Sequence, residues 1–226
     1  MNCECCGSSK IELMKYILWE ELIDKWKLSS HEVYYINRQQ GFCCTSCGSN
    51  LRSMALARAI MSCYNYAGLF KNFVSTNFVS KLKVLEINES GHLTQFLKKI
   101  PNHIMKGFPE IDMMDLSLDD ESFDLVIHSD TLEHIQDPIK GLSECKRVLK
   151  DGGFCVFTVP MIVDRLTASR KGLPDIFHGT PSNSQDLLVY TDYGADVWKH
   201  LILAGFKECR IISLEYPAAQ AFIGIK

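Results

Sequence analysis

Residues 121–160 read ESFDLVIHSD TLEHIQDPIK GLSECKRVLK DGGFCVFTVP, and the order of patterns in this stretch decides the fold. Asp124-Leu125-Val126-Ile127-His128 is a short, nearly continuous apolar run, the form taken by a strand buried on both faces. Asp137-Pro138 then opens a helix, with an aspartate to cap it and a proline at the first helical position, where no N–H is missed. Ile139, Leu142, Cys145 and Leu149 form its inner stripe, and Asp151-Gly152-Gly153 ends it. Phe154 to Val159 is a strand again, closed by Pro160.

The same alternation extends outward in both directions. Upstream, Lys83-Val84-Leu85-Glu86-Ile87 reads as a buried strand, and Leu93, Phe96, Leu97 and Ile100 share one helix face. A further short strand is expected near His103–Lys106. Downstream, Ala195 to Ala204 reads as a helix ended by Gly205, and Lys207 to Ile212 and Ala221 to Ile225 supply the last strands. Strands alternating with helices predict an α/β fold, a Rossmann-like, mostly parallel sheet covered on both faces. Ligands of such sheets bind beyond the carboxyl ends of the strands. That directs attention to residues 86–92, 106–115 and 128–134, and to the chain after Pro160.

The N-terminus has a different character. Of ten cysteines, six stand in two short clusters, Cys3, Cys5, Cys6 and Cys43, Cys44, Cys47. Cys3-Glu4-Cys5-Cys6-Gly7-Ser8 and Cys44-Thr45-Ser46-Cys47-Gly48-Ser49 both contain C-x-x-C-G-S, a knuckle in which two thiolates reach one ion from a tight turn. Two knuckles supply the four sulfurs of a closed, structural Zn²⁺ site, expected at Cys3, Cys6, Cys44 and Cys47, with Cys5 and Cys43 as competing choices of register. Between the knuckles, residues 11–27 have near-helical apolar spacing and Val33-Tyr34-Tyr35-Ile36 reads as a short strand; Leu51 to Tyr66 follows as a helix. Arg52 and Arg58 on that helix read as a solvated face, or as contacts to an anionic ligand. These features divide the chain into a zinc-knuckle module with its connecting helix at 1–66 and a larger domain at 67–226.

Composition narrows the function classes. A net charge of −3 offers no global attraction for nucleic acid. There is no apolar run of about 18 residues to span a bilayer, and Met1-Asn2-Cys3-Glu4 has neither a basic n-region nor an apolar h-region. A cytoplasmic protein is expected. Clustered cysteines fit metal better than a disulfide framework, with Cys63, Cys145, Cys155 and Cys209 as small core residues.

Residues 112–160 resemble the class I S-adenosylmethionine-dependent methyltransferase family, in the branch that includes the ubiquinone-type small-molecule enzymes. The resemblance is carried by Asp112-Met113-Met114-Asp115-Leu116-Ser117-Leu118, Glu121-Ser122-Phe123-Asp124-Leu125-Val126, Leu132-Glu133-His134-Ile135, Arg147-Val148-Leu149-Lys150-Asp151-Gly152-Gly153 and Thr158-Val159-Pro160. It covers roughly residues 81–226, weakly after Pro160. It implies S-adenosyl-L-methionine lying across the strand ends: Glu86 near the cofactor's amino-acid end, Asn88 and Gly91 in the first loop, Asp112 beside the adenine amino group, Met113 on the adenine face and His128 over the methyl donor.

Two departures from the family pattern stand out. The glycine-rich turn E/D-x-G-x-G-x-G reads Glu86-Ile87-Asn88-Glu89-Ser90-Gly91-His92, with Asn88 and Ser90 at glycine positions. Where an acidic residue would accept bonds from the ribose hydroxyls stand Lys106-Gly107-Phe108, and a lysine cannot accept. If a methyl acceptor must lose a proton, His134, His128 and then His178 are the candidate bases. The long connection from Met161 to Tyr193 reads as a lid that chooses the acceptor, expected to be a small molecule or a glycan-pathway intermediate. Ser129-Asp130-Thr131, in place of the motif for amino methylation of bases, favours O- or C-methylation. The alternatives are a catalytically inactive interaction scaffold, favoured by Asn88, Ser90 and Lys106, and an RNA methyltransferase, disfavoured by the acidic balance.

Overall fold

The computed structural model describes residues 1–177 and 187–226. The chain forms two compact units, neither continuous in sequence: Met1–Lys81 with Gly91–Pro101 and Ile211–Ala221, and Leu82–Ser90 with Asn102–Arg210 and Phe222–Lys226.

In the first unit, β1 (Ile11–Leu13) pairs antiparallel with β2 (Phe42–Cys44), Ile11 opposite Cys44. Between them lie α1 (Glu20–Trp26), which buries no residue, and α2 (Ser30–Gly41). The expected strand at Val33–Ile36 is overturned, because these residues lie inside α2. A capping box outweighs their strand propensity: Ser29 Oγ accepts from the Glu32 N–H at 3.2 Å, and the Ser29 N–H donates to Glu32 Oε2 at 2.7 Å. The near-helical spacing of residues 11–27 likewise yields a strand and a two-turn helix. Next comes α3 (Leu51–Cys63), capped by Asn50 Oδ1, which accepts from the Ser53 N–H at 2.8 Å. It is buried almost all round, so Arg52 is no solvated or ligand-facing group: it is 2% exposed and donates to Gln39 Oε1. Arg58 pairs with Glu4. The short α4 (Phe70–Phe73) and α5 (Thr94–Leu97) meet through Phe70 and Phe96, edge to face with centroids 6.2 Å apart.

The large sheet makes up most of the second unit, although residues 211–214 and 219–221 of its last two strands count with the first. Its strands in chain order are β3 (Val84–Ile87), β4 (His103–Lys106), β5 (Phe123–Ser129), β6 (Leu149–Thr158), β10 (Glu208–Leu214) and β11 (Ala219–Ile225). Across the sheet they run β4-β3-β5-β6-β11-β10, parallel from β4 to β6 and antiparallel between β6 and β11. Numbering only these strands, the order begins 2-1-3-4, the doubly wound pattern whose ligand crevice opens between strands 1 and 3, here β3 and β5. The mostly parallel Rossmann-like sheet is therefore present, with a mixed far edge.

The helix α6 (Pro138–Val148) starts as expected, the Asp137 carboxylate accepting from the Lys140 N–H at 3.0 Å. Leu149 is not on its inner stripe: it is the first residue of β6 and pairs with Phe123. The core beneath α6 joins Val126, Leu142, Cys145, Val148, Cys155 and Phe157. The connection after Pro160 contains a small sheet of β7 (Met161–Ile162), β8 (Ala168–Ser169) and β9 (Thr191–Gly194), in the order β7-β9-β8. After it, α7 (Trp198–Leu203) is shorter than its expected span. No helix among the described residues is long and apolar enough to cross a membrane.

Two ion-pair clusters tune stability with pH. Arg147 donates to Glu144 Oε1 and Oε2 at 2.8 Å and to the carbonyls of Leu116 and Leu118 at 2.7 and 2.8 Å, pinning that loop to α6. The Arg147 bonds hold the Glu144 carboxyl below its usual range. Burial opposes ionisation of Asp196, but the Thr167 N–H and Lys199 outweigh it and hold this carboxyl well down. Both groups bind protons less readily folded than unfolded, so their stabilisation is complete above the ordinary carboxylate range and is lost as the pH falls through it. Denaturant midpoints measured from pH 7 to about 3 should fall, and E144Q should flatten the slope.

Candidate functional site

The two cysteine knuckles are near-duplicates in backbone geometry. In the first, the Gly7 N–H donates to the Cys3 carbonyl at 2.8 Å and the Cys3 N–H to the Ser8 carbonyl at 2.9 Å; in the second, Gly48 to Cys44 and Cys44 to Ser49 repeat both distances. Gly7 and Gly48 are left-handed, with φ of 84° and 78°. At Gly48 an added Cβ would also stand 2.6 Å from the His92 ring, so only glycine closes this turn. The turns bring together the thiols of Cys3, Cys6, Cys44 and Cys47, the four picked out by the sequence. The Cys3–Cys47 and Cys6–Cys44 sulfurs lie 3.6 Å apart. Four sulfurs at about 2.3 Å from a tetrahedral zinc would be about 3.8 Å apart, so the set fits that ion closely. Cys43 faces elsewhere, its thiol on the Gln40 carbonyl at 3.2 Å. Burial alone would raise the Cys44 thiol, but the N–H groups of Cys47 and Ser46 bring it down to about 7.

In the second unit, the strand ends at the β3/β5 crevice converge on Asn88. It has φ of 58°, the left-handed conformation that a glycine would otherwise supply. Its side chain crosses the crevice: Nδ2 donates to Thr131 Oγ1 at 3.2 Å and Oδ1 accepts from the Phe108 N–H at 3.2 Å. Gly107 is required beneath it, since a Cβ there would meet Asn88 Oδ1 at 2.7 Å. Glu86 is fully buried, with Oε2 2.7 Å from His103 Nε2 and Oε1 accepting from the Ser90 N–H at 2.8 Å. Lys106 closes β4 and pairs with Glu110 at 2.5 Å. Gly91, where a segment of the first unit begins, is left-handed with φ of 56°.

The remaining sequence candidates are dispersed. Asp112 is exposed on the loop beyond β4, one carboxylate oxygen accepting from the Met114 N–H at 2.8 Å. Met113 is 3% exposed and packs against Gly141 of α6 in the core. His128 is fully buried and stacks on Phe157, centroids 4.7 Å apart and rings 11° from parallel. Burial pushes its pKa down to about 3, so the ring is neutral. His134 Nδ1 lies 2.9 Å from the Leu188 carbonyl, which can only accept, so this nitrogen holds the proton and Nε2 faces Glu133 at 3.6 Å. His178 lies outside the described residues.

Sequence reasoning missed His103, Thr131 and Glu133 as partners of these groups. His103 sits alone in a four-residue strand, and only the parallel register of β3 and β4 brings it to Glu86. After β7 a cavity of about 350 Å³ lies between residues 169–175 and 188–190 with Gln136. Arg170 lines it and is held by Asp192 at 2.7 Å and the Pro174 carbonyl at 2.8 Å.

Residues 74–157 match the methyltransferase domain family. The methyltransferase-domain match spans β3 to β6 and includes Asn88, Asp112 and His134. Over 58 residues the chain is 45% identical to the demethylmenaquinone methyltransferase of Clavibacter sepedonicus, covering 24% of each protein. Over 92 residues it is 32% identical to a probable S-adenosylmethionine-dependent methyltransferase of Mycolicibacterium smegmatis, covering 38% of this chain and 35% of that one. The chain thus spans about a quarter to a third of the length of these curated relatives. An S-adenosylmethionine-dependent methyltransferase structure from Aquifex aeolicus aligns with 64% of this chain and 80% of that one, at 16% identity and a TM-score of 0.41.

Proposed function

We propose that the chain is an S-adenosylmethionine-dependent methyltransferase acting on a small molecule or a glycan-pathway intermediate, with a structural zinc ion at Cys3, Cys6, Cys44 and Cys47. The observation that carries the catalytic reading is the loop after β3: without its glycines it keeps a left-handed turn at Asn88, at the switch point of a parallel sheet. The methyltransferase-domain match over the same strands supports it. The turn keeps the left-handed backbone that a glycine would supply; the Asn88 side chain spans the crevice and would have to turn aside to admit a cofactor there.

When bound, the cofactor supplies a methyl group already activated by its sulfonium. The chain's part is to align it and exclude water. Asp112 would offer its second carboxylate oxygen to the adenine amino group, and the Asn88 turn would bring backbone close to the ligand. His134, fixed with its proton on Nδ1, presents Nε2 as the base for an acceptor hydroxyl or carbon acid. Residues 169–175, with Arg170 and Lys171, form one wall of an acceptor site with an anionic preference.

A second reading, an inactive interaction scaffold, is favoured by the Asn88 bridge to Thr131 and Phe108 and by Lys106 at the ribose position. Calorimetric titration with S-adenosylhomocysteine separates the two. Admitting the ligand breaks two Asn88 hydrogen bonds, a net cost of about 0.5–1.5 kcal/mol each. N88G should therefore bind roughly fivefold to 150-fold tighter than the natural chain. D112A should bind more weakly. No heat from either the natural chain or N88G at millimolar ligand would leave the scaffold alone standing.

A further inference from the structure

The core beneath α6 contains a second group of metal-ligand side chains, separate from the knuckles and from the strand-end crevice. The register of β5 and β6 sets Val126 opposite Cys155 and His128 opposite Phe157, so His128 and Cys155 stand on the same face of adjacent strands. Cys145 joins them from α6. A ring nitrogen of His128 and the sulfurs of Cys145 and Cys155 all lie within 4.8 Å of one another, and all three residues are 0% exposed.

The second observation is the imidazole itself. Neither ring nitrogen of His128 has a hydrogen-bond partner among the described residues. A buried polar group without a partner is destabilising, and native interiors rarely keep one. A phenylalanine would make the same stack on Phe157 without that cost. What histidine adds here is a ligand nitrogen within 4.8 Å of two thiols.

We propose that His128, Cys145 and Cys155 form a buried zinc site that ties α6 to β5 and β6. The chemistry of the donors selects the ion. Two thiolates and a neutral imidazole around Zn²⁺ have no net charge, the condition that a dry interior imposes. Two cysteines and one histidine are also an established three-ligand zinc set, whose fourth corner a single buried water completes here. The spread of the three atoms places their centre no more than about 2.8 Å from each; bonds of about 2.0–2.3 Å in a tetrahedral shell set ligands about 3.5–3.8 Å apart, so the ligands close by up to about an ångström. Binding releases the two thiol protons to solvent and involves no electron transfer.

The test uses the full chain and is independent of any methyltransferase activity. Zinc per chain is measured after saturation and removal of excess metal, for the natural protein, H128F and the double variant C145A/C155A. The natural protein should hold one more equivalent than either variant, with the knuckle's zinc common to all three. Cobalt substitution gives a readout that needs no variant: sulfur-to-cobalt charge-transfer absorption should correspond to six thiolate bonds, against four from the knuckle alone. Equal zinc in folded variants and natural protein overturns the site. If the variants do not fold, a natural-protein cobalt spectrum with only four thiolate bonds does so by itself.

Discussion

Replacing Glu86 by alanine is expected to destabilise the chain by about 3–5 kcal/mol, the usual consequence of removing one partner from a buried pair. The carboxylate serves two donors at once, His103 Nε2 at 2.7 Å and the Ser90 N–H at 2.8 Å, and it is fully buried. His103 is itself 4% exposed on its side chain, so water does not replace the lost partner. The effect should propagate along the chain, because the Glu86–Ser90 bond closes the loop that contains Asn88. Denaturant unfolding of E86A and E86Q gives the measurement. E86Q should lose markedly less, since its amide oxygen still accepts from Ser90. A loss below about 1 kcal/mol in E86A would mean that the pair is not what holds this loop.

Chelation is expected to melt the first 50 residues while the sheet survives. Apart from α2, which buries Tyr35 as its one large apolar side chain, the segment has little to hold it: β1 and β2 make three residue pairs, β1 is largely exposed, and α1 buries nothing. Isolated two-stranded pairings are marginal in water. A structural zinc contributes on the order of 10–16 kcal/mol in zinc-finger peptides, far more than these elements supply. Amide hydrogen exchange with and without a strong chelator should lose protection at residues 1–50 and keep it in β3, β5 and β6. Replacing Cys6 and Cys44 together by serine should reproduce the loss without chelator. Unchanged protection under both treatments would remove the metal from the account of this segment.

How much of this was legible in the sequence varied with the kind of signal. The strand, helix and strand at residues 123–158 followed from apolar runs and from the Asp137-Pro138 start, and the cap bond to Lys140 is where that signal placed it. The helix at Leu51 followed equally from composition. Val33–Ile36 misled because aromatic and β-branched residues outweighed, on paper, the Ser29 and Glu32 pair that starts α2. That box was the usable signal. Leu149 misled by one residue, since a continuing helical stripe and the first residue of a buried strand are both apolar.

The candidate site divides the same way. The C-x-x-C-G-S repeat named the four clustered thiols, but only folding resolved the register by turning Cys43 to the Gln40 carbonyl. The substitution at Asn88 was visible as a departure, and its left-handed turn was anticipated from the residue type. Its bridge to Thr131 was not, because that contact depends on which strands lie side by side. Met113, expected on the adenine face, is 3% exposed and packs near Gly141 of α6, a placement that its loop sequence alone did not specify.

The knuckles have a consequence for the unfolded chain as well as the folded one. Cys3 and Cys47 are 44 residues apart, so an ion shared between them is a covalent-like cross-link that closes a large ring. By the chain-entropy reckoning used for disulfides, closing a ring of that size removes about 4 kcal/mol of freedom from the denatured ensemble. Unlike a disulfide, the proposed fastening would hold in a reducing medium and open to competition for the ion. With zinc bound as proposed, the N-terminal residues would be coupled to free zinc concentration.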